Sequence, residues 1–158
     1  PERVVTIEDT AELSLNHPHV VRLESRPGGF DGAGVVSIRD LLRNTLRMRP
    51  DRIIVGEVRG GEALALLKAW NTGHFGGVTT IHANSAKAAL TRLSSLVQEA
   101  GVPPQPELIA ETINLLAFII RTPAGRRVKE LARVDGYSAT DGFKLTFPET
   151  QSSKGSGQ

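Results

Sequence analysis

Apolar positions in this chain recur with two different periods, and the periods alternate. Short apolar runs at residues 4–7 (Val-Val-Thr-Ile), 20–23, 53–55 (Ile-Ile-Val) and 78–81 (Val-Thr-Thr-Ile) are strand-like. The run at 53–55 is apolar on both faces, as suits a central parallel strand covered by helices. Between the runs lie stripes at helical spacing. Ile38, Leu41, Leu42, Thr45 and Leu46 form one face of a helix that Ser37 opens, with Asp40 as the returning partner of a capping-box-like start, and Pro50 ends it. Ala63, Leu64, Leu67 and Trp70 follow Gly60 and Gly61, and Gly73 closes that helix at a left-handed cap position. Asn84 or Ser85 caps the strongest helix, which is apolar at 86, 89, 90, 93, 96, 97 and 100 and is ended by Gly101. A Pro-rich link at 103–106 leads to a further helix, after which 117–120 and 128–137 read as strands of a final subregion. Residues 27–34 hold four glycines and a proline with no helical period, which predicts a mobile surface loop. Residues 1–147 are expected to be structured, and the polar, Ser/Gly-rich residues 148–158 to form a frayed tail.

Strands alternating with helices predict an α/β domain with a mostly parallel sheet. Ligands in such sheets bind outside the carboxyl ends of the strands, so the residues just past those ends matter. The first run ends at Glu8-Asp9, the third at Gly56-Glu57 and the fourth at His82. Two carboxylates and an imidazole therefore converge on one edge. A carboxylate on a rigid strand end can orient a water or serve a hydrated Mg²⁺, and an imidazole can donate to a phosphate oxygen. Gly56 lets a neighbouring backbone or a phosphate approach closely. Each residue taken alone also has a structural reading, as a helix cap, a turn former or a satisfied histidine beside a strand.

Composition narrows this picture. The 158 residues are long enough for one compact domain, and 39% hydrophobic with 23% charged excludes both disorder and a membrane span. Nineteen basic against seventeen acidic residues leave a formal charge of +2, too small a surplus to point to nucleic acid. With no Cys, disulfides, zinc-thiolate sites and thiol nucleophiles are excluded. His17 and His19 flank Pro18 with no further ligand nearby, and the basic stretch Arg121, Arg126, Arg127, Lys129 and Arg133 reads as the wet side of a strand. Trp70 lies on an apolar stripe and is expected in the core.

Three segments then carry a resemblance. Val5-Thr6-Ile7-Glu8-Asp9-Thr10-Ala11-Glu12-Leu13 is similar to the Asp box of the type II/type IV secretion traffic ATPases. Arg49-Pro50-Asp51-Arg52-Ile53-Ile54-Val55-Gly56-Glu57-Val58-Arg59-Gly60 resembles their Walker B region. Gly76-Gly77-Val78-Thr79-Thr80-Ile81-His82-Ala83-Asn84-Ser85-Ala86 resembles their His box. The chain most resembles the conjugal-transfer members, over residues 3–137. The resemblance implies the C-terminal portion of a RecA-like P-loop NTPase core that uses ATP and Mg²⁺. It implies that Glu57 polarises the attacking water or serves the Mg²⁺, that Glu8 assists, and that His82 senses the γ-phosphate. Asp9, Arg43, Arg47, Arg59 and Thr80 are the positions it assigns to the nucleotide, with Arg43 and Arg47 acting in the site or across a subunit boundary. It further implies a homo-hexamer that works with other components of a type IV secretion or conjugation apparatus. That assembly would be cytoplasmic and peripheral to the inner membrane, without direct nucleic-acid binding.

The family's P-loop, Gly-x-x-x-x-Gly-Lys-Ser/Thr, does not occur in the chain: Lys68, Lys87, Lys129, Lys144 and Lys154 lack its context. Since the chain opens Pro1-Glu2-Arg3, the expectation is that the P-loop lies upstream and that these residues alone are inactive. The alternative is a split or degenerate ATPase half that serves as a non-catalytic assembly module.

Overall fold

A computed structural model describes residues 1–28 and 34–148. Most of the expected loop at 27–34 and the tail from 149 onward lie outside the described residues. Four strands form one sheet: β1 (Val4–Glu8), β2 (Val20–Glu24), β3 (Arg52–Glu57) and β4 (Val78–Thr80). Their order is β2-β1-β3-β4, and every pair is parallel. β1 is buried along its whole length, because it lies between two neighbours and its β-branched side chains face packed layers on both sides. Val5, Ile7, Ile53 and Val55 are fully buried, each worth about 1.5–3 kcal/mol against exposure.

Helices make the crossovers. α1 (Ile38–Thr45) begins with the capping box that the sequence suggests: the Ser37 side chain accepts from the Asp40 amide, and the Asp40 carboxylate accepts from the Ser37 amide. The hydroxyl of Ser37 also donates to that carboxylate at 2.6 Å and holds it below the usual Asp value. Leu46, one residue past the helix, is exposed and not on the core stripe. α2 (Glu62–Asn71) buries Ala63, Leu66, Leu67, Ala69 and Trp70, and Gly73 follows at φ 103°. α3 (Ala86–Gln98) is capped by Ser85, whose Oγ accepts from the Ala88 amide at 3.0 Å, and ends before Gly101 at φ 77°. α4 (Pro106–Thr112) is short and starts on its proline.

A second, antiparallel sheet follows, in the order β5-β6-β7, from β5 (Leu115–Thr122), β6 (Gly125–Ser138) and β7 (Gly142–Thr146). The final subregion is thus a separate sheet, larger than the two strands expected there, with β7 added by a tight turn into Gly142 at φ 74°. The basic residues from Arg121 to Lys129 are exposed around the β5–β6 turn. No helix among the described residues is long and apolar enough to cross a membrane.

Candidate functional site

The carboxyl edge of the parallel sheet brings Glu8, Glu57 and Thr80 to adjacent strand ends. Along β3 and β4, Val55 pairs with Thr79 but Glu57 pairs with Thr80, which leaves Gly56 as the extra residue of a β-bulge. The bulge turns Glu57 toward the loop after β4. Thr80 fixes it from the other side, its Oγ1 donating to the Gly56 carbonyl at 2.6 Å while its own carbonyl accepts from the Val58 amide at 3.1 Å.

Glu57 is mostly shielded, its side chain 18% exposed, and both of its carboxylate oxygens have nitrogen partners. Oε2 accepts from Arg59 through Nε at 2.8 Å and Nη2 at 2.6 Å, a two-pronged contact suited to a planar guanidinium. Oε1 lies 3.1 Å from Nε2 of His82, whose own side chain is 93% exposed. Arg59 reaches Asp9 as well, at 3.8 Å, and the Glu57 carboxylate pushes its guanidinium above the ordinary Arg value. Asp9 is held in turn by the Ser25 hydroxyl at 2.8 Å. Asp9, Glu57, Arg59 and His82 thus form one connected set of charges at the strand ends.

Glu8 sits one layer deeper, 5% exposed. Its Oε1 accepts from the amides of Glu12 and Leu13, both at 3.0 Å, and so orders the loop that leaves β1. A Cβ on Gly56 would lie 3.1 Å from Glu8 Cγ. The space left by the missing side chain is therefore used by Glu8, in the place where the sequence suggested a backbone or a phosphate. Arg43 and Arg47 are exposed on or just past α1, and among the described residues neither makes an ion pair with a carboxylate of this edge.

Two further residues shape the edge without having been singled out in the sequence. Glu62, at the start of α2, accepts from the amides of Arg59 and Gly60 at 2.7 and 2.8 Å and shapes the turn that presents Arg59. Glu130, on β6, accepts from the Ala86 amide at 2.9 Å. A Glu just after a Gly-Gly pair was a readable signal for the first, whereas nothing local marks the second.

Beside β4, a cavity of about 780 Å³ is bounded by Phe75, Val78, Ile81, His82, Leu93 and Phe118. β4 is an edge strand of the sheet, and Val78 and Phe75 are 59% and 72% exposed on it and next to it. Among the described residues no group of three or more His, Asp or Glu is arranged to hold a metal.

The fold recurs in solved ATPases of secretion and pilus-motor systems. The VirB11 ATPase of the Brucella suis type IV secretion system, solved with sulphate, matches at a TM-score of 0.72 and 30% identity, over 84% of this chain and 40% of that one. The pilus retraction motor PilT with bound ADP matches at 0.58 and 27% identity, over 95% and 40%. The family model described as "Type II/IV secretion system protein" matches residues 1–141, and the chain belongs to that family. A probable conjugal transfer protein TrbB of Sinorhizobium fredii is 47% identical over 137 residues, 87% of this chain and 40% of the relative. The chain spans 36–40% of the length of the first curated relatives it matches.

Proposed function

We propose that these residues form the water-activating and sensing part of an Mg²⁺-dependent ATPase that powers type IV secretion or conjugal DNA transfer. The observation that carries this reading is Glu57, a shielded carboxylate re-aimed by a bulge at a strand end and braced by Arg59 and His82. A base held on a rigid strand in a partly dry cleft is suited to take a proton from water as it attacks a phosphoryl group. Mg²⁺ is generally held by one or two carboxylates together with substrate phosphates rather than by an all-protein cage. In this reading Glu57 serves it through water, and a bound Mg²⁺ would supply charge neutralisation on the phosphates.

In this reading His82, exposed at the cleft, meets the γ-phosphate, and Arg59 and Asp9 set the charge around Glu57. Glu8 acts by holding the loop that carries Asp9, and Thr80 by fixing the bulge. Arg43 and Arg47, in the last turn of α1 and just past it, lie toward the amino end of β3 and so face a neighbouring subunit of a hexamer that works with the secretion apparatus at the cytoplasmic face of the inner membrane. The open edge of β4 leaves its main-chain groups free to pair with a further strand, which would cover the apolar cavity beside it. The solved VirB11 relative holds sulphate and the PilT relative holds ADP, which supports phosphate binding by the family.

Glu57→Gln in the full-length protein should lower ATP turnover by at least about 10²-fold while leaving nucleotide binding intact, since it removes the base but not the volume. Unchanged turnover would remove Glu57 from this role. The absence of a P-loop string within these residues favours one other reading, a non-catalytic assembly module. A full-length protein that binds no nucleotide but still assembles with its partners would establish that reading.

A further inference from the structure

Glu130 is a charged residue on an apolar face. Directly paired residues of an antiparallel sheet share a face, so Phe118 with Glu130 and Leu116 with Ala132 point the same way, and Ala132 and Val134 on that face are buried. Regular pairing would next put Ile119 opposite Lys129. It lies opposite Val128 instead, so Lys129 is the extra residue of a bulge immediately before Glu130. A bulge of this kind re-aims the side chain beside it. Glu130 reaches the Ala86 amide at 2.9 Å, across 44 residues of sequence. α3 has no acidic residue in its own first turn, so the negative charge that favours a helix N-terminus comes here from the other sheet.

This anchor lies just beyond the His82 loop. With a side chain 93% exposed, His82 has little packing to hold it within 3.1 Å of Glu57. Its position is set by the backbone on either side. Before it, Thr80 is pinned to Gly56; after it, only residues 83–85 separate it from the α3 start that Glu130 holds. We infer that Glu130 is a positioning residue that acts through His82, coupling the antiparallel sheet to the phosphate-sensing end of the site; this rests on the ATPase reading proposed above.

The test uses the full-length protein and two readouts. Amide exchange at Ala86 and the residues just before it should accelerate about fivefold or more in Glu130→Ala, as for a lost helix cap, and change little in Glu130→Gln, which keeps an acceptor. ATP turnover should show a lowered kcat with KM within about twofold for Glu130→Ala, and near-wild-type values for Glu130→Gln. The same Glu130→Ala change made on top of His82→Ala should cost nothing further, because residues acting through one another are not additive. If it lowers kcat equally with and without His82, or if exchange at the start of α3 is unmoved, the inference is overturned. Should the alanine variant not fold, Glu130→Asp, shorter by one methylene, takes its place. A wild-type protein without ATP turnover would refute the ATPase reading, while the exchange measurement would still decide whether Glu130 anchors the loop.

Discussion

The indole Nε1 of Trp70 donates to the main-chain carbonyl of Ile53 at 3.1 Å, joining α2 to β3 inside the core. That pairing leaves no room at Gly77, where an added Cβ would lie 2.0 Å from Trp70 Nε1 and 2.5 Å from the Ile53 carbonyl oxygen. Gly77→Ala should therefore destabilise the protein by about 1–3 kcal/mol, the range for overpacked cores, with part of the cost from a displaced hydrogen bond. Urea unfolding measures it, and Trp70, the one tryptophan in these residues, reports the local change. An unchanged midpoint would show that the α2–β3 packing is looser than this.

Glu8 is next to the proposed chemistry, yet its visible work is on the loop after β1. Removing the carboxylate in Glu8→Ala leaves the amides of Glu12 and Leu13 without their acceptor, at a cost of about 1.5–3 kcal/mol for hydrogen bonds to a charged group. Faster amide exchange at those two residues, ahead of any change in the β3 amides, is the expected signature. If turnover fell while those amides kept their protection, Glu8 would have a direct part in the reaction.

The start of α1 should respond to acid. Asp40 is held below its ordinary value first by the Ser37 hydroxyl and then by the Ser37 amide. A carboxyl depressed in the folded state contributes stability that is whole above its unfolded value, near ~3.9, and is lost as the pH falls through the lower folded value. Exchange at the Ser37 and Asp40 amides should therefore rise, beyond its intrinsic pH dependence, only as the pH drops below about 4. Ser37→Ala should remove the part of that excess due to the hydroxyl, the larger of the two causes, and leave the part due to the Ser37 main-chain amide, which alanine retains.

Much of this was legible in the sequence because the signals are local. The capping box of Ser37 and Asp40, the glycine stops after α2 and α3, and the β-branched strands all act within a few residues. The three motifs place Glu8, Glu57 and His82 at strand ends by the same local logic. The occupant of the space beside Gly56 was not legible, since it is a side chain from a strand 48 positions earlier. Nor was the anchor on α3, because Glu130 lies in a basic stretch whose exposed members conceal an inward-facing one, and only the bulge at Lys129 reveals it. β7 escaped notice because Phe143 and Leu145 are too few to set a period. Leu46 followed the stripe on paper but falls after the last turn of α1.

The two sheets differ in how far apart their partners lie in sequence. β5, β6 and β7 are joined by short turns and can zip locally, whereas Val4 pairs with Arg52 and Ile54 with Val78. Local hairpins close quickly, and parallel pairings across long crossovers close slowly. During refolding the antiparallel hairpins should therefore gain protection before the strand ends that carry Glu8, Glu57 and His82. The strand ends are then the last part of these residues to order, and their protection against exchange marks the completion of the fold rather than its onset.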